Sequence, residues 1–397
     1  MQLLVNMLIF SLPFGVILRM TPISNVSIYP YDLFAGLILL SVLFRVFVRR
    51  EKIREKKLFI IISLFLLVGF ISLLINIRHL TFQTFLISFA YSLRYAAFAS
   101  IIFAFQFLDR KFKESINLKL IAAGTIFTIT GYIQYFFYPN LRNLYYLGWD
   151  EHLYRFFSTF LDPNFAGAFL VLVLVLLSEN IIERSAKKNR KIFTMATVWV
   201  ITLVAIFFTY SRSAMVLLLT ASAVFLIIHK LYKVAVIALF ILVISFFIFP
   251  NPNIQGLNPL RIASIEARIE SAQDALEIIS KNSIIGVGFN AYRYARIRYG
   301  LADVEGTLVS NSGAGTDNSY LFVMATTGIV GIVVFVLFWI NILKYLARSL
   351  HLGIYERITF VSIVGLLVNT IFINSLFYPP IMAWVFILIG FTVNRKR

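Results

Sequence analysis

Residues 49–77 read RREKIREKKLFIIISLFLLVGFISLLINI. Six bases and two acids crowd Arg49 to Lys57, and twenty uncharged residues follow, Leu58 to Ile77. A twenty-residue helix is about 30 Å long, the thickness of a bilayer's hydrocarbon core. The apolar run therefore reads as a membrane span, and the basic block (Arg49, Arg50, Lys52, Arg54, Lys56, Lys57) as an orientation signal on its cytoplasmic side. The block also suits contact with anionic lipid. The rest of the chain repeats the pattern. Apolar segments fall at 2–18, 33–48, 58–77, 84–107, 119–138 and 159–178, then at 192–209, 213–228, 232–249, 318–343, 357–374 and 377–393. No small-residue cleavage site follows the first, so it reads as a retained helix and not a signal peptide.

Composition agrees. Only 14% of the 397 residues are charged and the mean hydropathy is +0.87, whereas soluble domains carry about 25% charged residues. This excludes a soluble enzyme, a secreted disulfide scaffold and a disordered regulator. The absence of Cys removes disulfides, thiolate nucleophiles and zinc–thiolate sites. The four histidines, His79, His152, His229 and His351, are too scattered to suggest a metal cluster. Neither a metal nor a cofactor is expected. The expected fold class is an all-α polytopic membrane protein with about 12 transmembrane helices. Residues 1–249 would hold nine spans, 250–316 one long extracytoplasmic loop, and 317–397 the last three spans.

A net charge of +18 would suit a nucleic-acid partner, but its placement argues against one. Segments 45–57, 109–119, 179–191, 229–233, 344–357 and 395–397 hold 24 of the 36 basic residues and 7 of the 18 acidic ones. These are alternate inter-span loops and the C-terminus, the positive-inside pattern, which puts both termini in the cytoplasm. Of 14 Lys, 13 fall in that set, while the other face and the spans carry 11 Arg and Lys281. Arg stays charged when partly dehydrated and grips phosphate with two donors. Outer Arg without Lys fits either an anionic ligand or structural ion pairs.

The long loop opens on the breaker Pro250-Asn251-Pro252-Asn253. Ile262, Ile265, Ile269, Ala272, Leu276 and Ile279 then recur at helical spacing, which predicts an amphipathic helix on the membrane surface or against the spans. Gly300 to Gly315 reads as a mobile loop. Tyr292, Arg293, Tyr294, Arg296 and Tyr299 can hold sugars by stacking and hydrogen bonds, or form an interfacial aromatic belt.

Four polar stretches stand out. Arg155-Phe-Phe-Ser158-Thr159-Phe-Leu-Asp162-Pro163-Asn164 precedes a span, with Asp-Pro-Asn able to cap its helix. Thr209-Tyr210-Ser211-Arg212-Ser213 joins two apolar runs almost without a loop, so Arg212 sits at the membrane boundary. A charge there costs about 2 kcal/mol or more unless paired or wet; a structural partner and a ligand phosphate both answer that. Arg268 lies in the amphipathic helix, followed by Gly286-Val287-Gly288, which a helix-ending turn explains equally well. Thr316-Asp317-Asn318-Ser319-Tyr320-Leu321 opens the next span, with Asp317 either a cap or a general base. Arg94 lies inside the fourth span, where helix-to-helix pairing is the simpler reading.

In this order the four stretches resemble motifs of the O-antigen ligase and O-antigen polymerase family of bacterial membrane glycosyltransferases, over about residues 150 to 335. Arg155 to Asn164 resembles its stretch of Arg, Gly/Ser-Thr-Phe and Pro-Asn. Ser211-Arg212-Ser213 resembles its Ser-Arg-Ser/Gly. Arg268 through Asn282-Ser283-Ile284-Ile285-Gly286-Val287-Gly288 is similar to its Arg-x-x-x-Trp and Pro-Leu-x-Gly-x-Gly run. Asp317-Asn318-Ser319-Tyr320-Leu321 with Thr327-Gly328-Ile329-Val330-Gly331 is similar to its His-Asn-x-Tyr-Leu and Gly-x-x-Gly. Ala272 stands where the family has Trp, Ser283 where it has Pro, and Asp317 where ligases have the His proposed as base.

The resemblance implies a GT-C-like, inverting glycosyltransferase of the bacterial inner membrane with its active site on the extracytoplasmic face. The donor is a polyprenyl-diphosphate-linked oligosaccharide, and the acceptor is another glycan. Asp-Asn in the last motif tilts the reading toward a repeat-unit polymerase over a ligase. A transporter or flippase of the same lipid-linked sugars is the rival from another class. The implied catalytic residues are Asp317, Arg212 and Arg268. The substrate-binding set is Arg155, Asn164, Asn318, Tyr320, Tyr292, Arg293 and Arg296. A flippase or chain-length regulator is the implied protein partner.

Overall fold

A computed structural model describes residues 1–23, 26–185, 192–233, 262–303 and 315–394. Most of the expected 232–249 span, the Pro250–Asn253 breaker, most of the Gly300–Gly315 loop and the basic 395–397 end lie outside the described residues. The helices are α1 (Gln2–Ser11), α2 (Pro30–Leu43), α3 (Lys56–Ile75), α4 (Phe82–Ala104), α5 (Arg110–Phe137), α6 (Pro163–Ser185), α7 (Ile192–Phe208) and α8 (Arg212–Ile228). After the undescribed stretch come α9 (Ile262–Lys281), α10 (Tyr292–Arg298), α11 (Ser319–Ala347), α12 (Ile354–Asn369) and α13 (Pro379–Val393). A short antiparallel hairpin, β1 (Met20–Ile23) and β2 (Val26–Ile28), lies between α1 and α2.

Among the described residues six helices, α2 to α6 and α11, are long and apolar enough to cross a membrane, and α1, α7, α8 and α13 are shorter apolar helices. The chain is a helical, polytopic membrane protein. Two helices overrun their apolar segments. α5 starts at Arg110 and α6 runs on to Ser185, because a helix does not end where the bilayer does. At that end of α6 the fully buried Glu179 takes His229 Nε2 and Arg357 Nε, both at 2.9 Å, which ties α6 to α8 and α12.

α6 and α13 form the centre. Both are apolar on every side, which is the pattern of a helix enclosed by others. Every residue of α6 from Ala166 to Leu177 is buried, as is every residue of α13 from Pro380 to Val393. Phe169 and Trp384 meet between them edge to face at 5.0 Å. The outer helices keep large apolar side chains exposed, among them Phe82, Phe136, Phe137 and Phe193, as a lipid-facing belt requires.

α11 is broken at Gly328, whose φ is +65°. The break frees two carbonyls for another segment: Val287 N donates to Ala325 O at 2.9 Å and Gly288 N to Thr326 O at 3.0 Å. In return Ile329 N donates to Ser283 O at 2.8 Å. The main chains touch closely enough that a Cβ at Gly286 would lie 2.4 Å from Thr326 C, and one at Gly328 would lie 2.2 Å from Ile284 O. The Gly-x-Gly turn and the Gly-x-x-Gly helix are thus two halves of one backbone joint. Asn76, which caps the C-terminus of α3, also donates to Gly286 O at 2.9 Å.

The joint docks α9 on α11 with a rotation unlike the apolar stripe in the sequence. Ala275, Ile278 and Ile279 are buried, whereas Ile269 and Leu276 are more than half exposed. The cause is Asp274, which turns inward to pair with Arg296 of α10 at 2.8 Å. Arg268 lies seven residues before Ala275, two turns along the same inward face.

Candidate functional site

The segment between α5 and α6 enters the bundle rather than crossing its surface. Phe156, Phe157 and Phe160 are fully buried. Gln134 Oε1 accepts the N–H groups of Phe157 and Ser158 at 2.9 and 3.0 Å. Thr159 Oγ1 donates to Pro13 O at 2.7 Å. These bonds hold a path with left-handed φ at His152, Tyr154, Ser158 and Leu161, a conformation non-glycine residues keep only where the surroundings enforce it. The same path buries Arg155. Its Nε donates to Thr209 O at 2.9 Å and its Nη2 to Tyr210 O at 3.3 Å. Arg155 therefore clamps the turn that carries Ser211 and Arg212.

Asp162 caps α6, with Oδ1 accepting from Asn164 N at 2.7 Å and Phe165 N at 3.3 Å. Asn164 Oδ1 accepts from Ser211 Oγ at 2.8 Å, which joins the N-termini of α6 and α8. Across from them, Asp317 N donates to Ser271 Oγ in a long 3.4 Å bond. Ser271 is one turn from Arg268, so the same face of α9 presents the arginine and steadies the loop carrying Asp317.

A cavity of about 850 Å³ lies among these elements. Its polar rim includes Arg155, Asp162, Asn164, Arg268 and Asp317, together with Asp150 and His152 from the loop after α5. Its floor is aromatic: Tyr31, Tyr95, Phe289, Phe322, Phe377 and Tyr378. Tyr378 stacks on Phe165 at 4.1 Å.

The rim is electrostatically coupled. Burial raises the Asp162 carboxyl above the usual Asp value, opposed by the Asn164 and Phe165 N–H groups and by the Arg155 and Arg268 guanidinium groups. Asp317 opens into the cavity while protein surrounds it, and burial is the main cause that raises its carboxyl too. Arg268 pulls it back, and the charges of Asp162 and Asp150 push it further up. Arg268 thus stands between two carboxyls of elevated proton affinity.

Of the residues singled out in the sequence, Asp317, Arg268, Arg155 and Asn164 meet at this cavity, and Arg94 also lines it. Arg212 opens α8 behind Asn164 and is not among the lining residues. Asn318 caps α11 through Tyr320 N and Leu321 N at 2.8 and 3.1 Å. Tyr320 turns the other way and donates its hydroxyl to Leu367 O at 2.9 Å. Tyr292 is buried between α9 and α11, and Arg296 is held by Asp274. Sequence reasoning took Asp162 only as a cap and passed over Ser271, Asp150 and Tyr378. The acid beside Pro163-Asn164 was a usable signal for Asp162; nothing local marked Ser271.

Fold and cavity together define a multi-pass membrane protein with a pocket that is charged at its rim and aromatic at its floor, a shape suited to an amphiphile with an anionic head. Residues 197–336 match the O-antigen ligase family, which agrees with the resemblance drawn from the motifs. That stretch runs from α7 past the α11 break and includes Arg212, Arg268 and Asp317, while Arg155 and Asn164 precede it. The match indicates a glycosyltransferase-type enzyme of the inner membrane with O-antigen ligase-type activity. A search of curated proteins finds no match.

Proposed function

We propose that the protein is an inverting glycosyltransferase that takes a polyprenyl-diphosphate-linked oligosaccharide as donor and polymerises surface-polysaccharide repeat units. The observation that carries this reading is the placement of Arg268 and Asp317 side by side on the rim of one cavity with an aromatic floor. The acceptor hydroxyl attacks the anomeric carbon and its proton passes to Asp317. The bond from that carbon to the diphosphate oxygen breaks, configuration inverts, and polyprenyl diphosphate leaves. Arg268, with Arg155 behind it, meets the charge growing on the leaving oxygen, a role worth about 10²–10³ in rate for one donor. Guanidinium charge takes the part a metal ion plays elsewhere, so the reaction is metal-independent. Ser211, beside Arg212, steadies the Asn164 side of the rim from the α8 terminus. The floor receives the first isoprene units.

The topology completes the proposal. Twelve spans, with 250–316 as the extracytoplasmic loop, put both termini in the cytoplasm and the cavity on the outer face, in line with the charge asymmetry of the loops. A ligase is the second reading, favoured by the description of the matched family; it uses the same residues and differs in acceptor, a lipid A-core sugar or another glycan.

The test uses purified protein in lipid with the lipid-linked oligosaccharide as sole substrate. A glycan ladder and released polyprenyl diphosphate, both lost in Asp317→Ala and Arg268→Ala, are expected. Turnover only after a second acceptor is added would make the protein a ligase. Flipping of the lipid-linked sugar without transfer would overturn the transferase reading.

A further inference from the structure

The floor of the cavity is not uniform. On one side Phe289, Phe322 and Phe377 pack on one another, with ring centroids 6.4, 6.2 and 5.2 Å apart. Their side chains carry no polar atom and suit an isoprene chain. The other side is built from the N-terminal ends of α2, α6 and α13, and it carries hydroxyls: Tyr31 of α2, beside Phe165 of α6 and Tyr378 at the start of α13. Tyr31 is fully buried, yet its hydroxyl has no hydrogen-bond partner among the described residues. A buried hydroxyl left unpaired is destabilising, so a group that bonds it is favoured there. Tyr31 lines the cavity, and a bound molecule can therefore supply that group.

Two acceptors stand near this donor. Tyr378 lies within electrostatic reach of both Tyr31 and Asp162. Its hydroxyl donates to Phe160 O in a long 3.4 Å bond, which leaves the phenol oxygen able to accept. Asp162 takes both of its N–H bonds at Oδ1, and Oδ2 has no hydrogen bond among the described residues. A phosphate oxygen can only accept, so it would satisfy Tyr31 alone and be repelled by the Asp162 carboxylate. A sugar hydroxyl both donates and accepts, and so matches all three groups. Arg268, the contact proposed above for the diphosphate, also acts on Asp162. A ring seated on Tyr31, Tyr378 and Asp162 therefore lies next to that diphosphate.

We propose that Tyr31, Tyr378 and Asp162 form a subsite for a hydroxyl-bearing sugar ring, and that this ring is the reducing-end sugar of the donor. This rests on the transferase reading above and adds a selectivity to it: the protein recognises the first sugar as well as the diphosphate and the lipid. The Tyr31 hydroxyl donates to a ring hydroxyl, ring hydroxyls donate to Tyr378 and to Asp162 Oδ2, and the phenylalanine side of the floor is left to the isoprene chain.

The experiment measures binding to the full-length protein in nanodiscs. Two ligands are compared: polyprenyl diphosphate, and the same lipid carrying only the reducing-end sugar of the protein's own repeat unit. Wild type is expected to bind the sugar-bearing lipid with a Kd lower by about tenfold or more. Tyr31→Phe should raise that Kd about five- to tenfold, the size of one neutral hydrogen bond, and move the Kd of polyprenyl diphosphate less than about twofold. The same variant should keep or raise the unfolding temperature of the ligand-free protein, because the Tyr31 hydroxyl has no partner among the described residues to lose. Equal Kd values for the two lipids in wild type would overturn the subsite. So would equal weakening of both lipids in Tyr31→Phe, no weakening of either, or a lower unfolding temperature with the sugar preference intact. Turnover of the complete donor judges the transferase reading separately: turnover without a sugar preference leaves that reading standing and sinks the subsite, and a sugar preference without turnover does the reverse.

Discussion

Replacing Gly286 by Ala perturbs the joint between the α9–α10 segment and the broken helix α11. The new Cβ would lie 2.4 Å from Thr326 C and Thr327 N, both main-chain atoms that cannot rotate away. Gly286 also has φ of +77°, where an L side chain costs about 1–2 kcal/mol. Relief of the clash requires the strands of the joint to separate, which breaks the Val287–Ala325 and Gly288–Thr326 hydrogen bonds at about 0.5–1.5 kcal/mol each. The sum is about 2–5 kcal/mol. Because α9 presents Arg268 and Ser271, the shift also displaces the rim, and a misplacement of about 1 Å can cost 10²-fold in rate. Gly36 of α2 is the control, since its added Cβ meets nothing within 4 Å. Thermal unfolding in nanodiscs and glycan-ladder turnover should show Gly286→Ala less stable and at least tenfold slower, with Gly36→Ala close to wild type. Equal behaviour of the two variants would refute the argument that the Gly-x-Gly turn is a structural joint.

The electrostatics of the rim give a signed pH prediction. If Asp317 is the base, turnover falls as pH drops through its raised pKa, and the acid limb of kcat/KM lies above the ordinary Asp value of about 3.9. Arg268→Gln removes the cation that holds Asp317 down and should move the limb to higher pH; Asp162→Asn removes a like charge and should move it lower. Shifts of one sign in both variants would rule out the coupling. Asp317→Asn should lower kcat by about 10²–10⁴ with stability near wild type, a split visible by comparing turnover with unfolding temperature. Arg357→Gln leaves the fully buried Glu179 with His229 as its remaining observed partner and should cost about 3 kcal/mol, read as a fall in unfolding temperature. Gln134→Ala strips the acceptor from the Phe157 and Ser158 N–H groups and should destabilise by about 2 kcal/mol or more and raise the donor KM, because Arg155 lies on the same segment.

The helices were legible because a bilayer imposes one length on every apolar run. Leu58 to Ile77 needs no tertiary information to be read as a span, and α3 occupies Lys56–Ile75. The site was legible where a motif carries its own polar residues to the end of a span, as with Asp317 before α11. It was not legible where rotation depends on a distant partner. The apolar stripe of α9 pointed Ile269 and Leu276 inward, but the ion pair of Asp274 with Arg296, twenty-two residues on, turns them out. Arg212 shows the same limit: the sequence put it at the membrane boundary, and only the packing of α8 against α6 decides that Asn164, and not Arg212, borders the cavity.

The departures from the family's motifs become intelligible in this geometry. At position 283 the joint uses the carbonyl, which accepts from Ile329 N, and proline and serine offer that carbonyl alike. Ser283 therefore keeps the bond that a Pro would make. The exchange of His for Asp317 is a change of chemistry, since an ordinary carboxyl is a weaker base than imidazole by about two to three pK units. Burial and the neighbouring Asp162 and Asp150 carboxylates raise Asp317 above the ordinary Asp value, and Arg268 limits how far it goes. A base that abstracts a proton at neutral pH gains from a pKa close to the working pH as long as it stays ionised. If Asp317 is the base, the two acids on the rim act in the direction that offsets part of the loss of base strength in the His-to-Asp exchange. On that reading Asp162, the helix cap, also tunes Asp317.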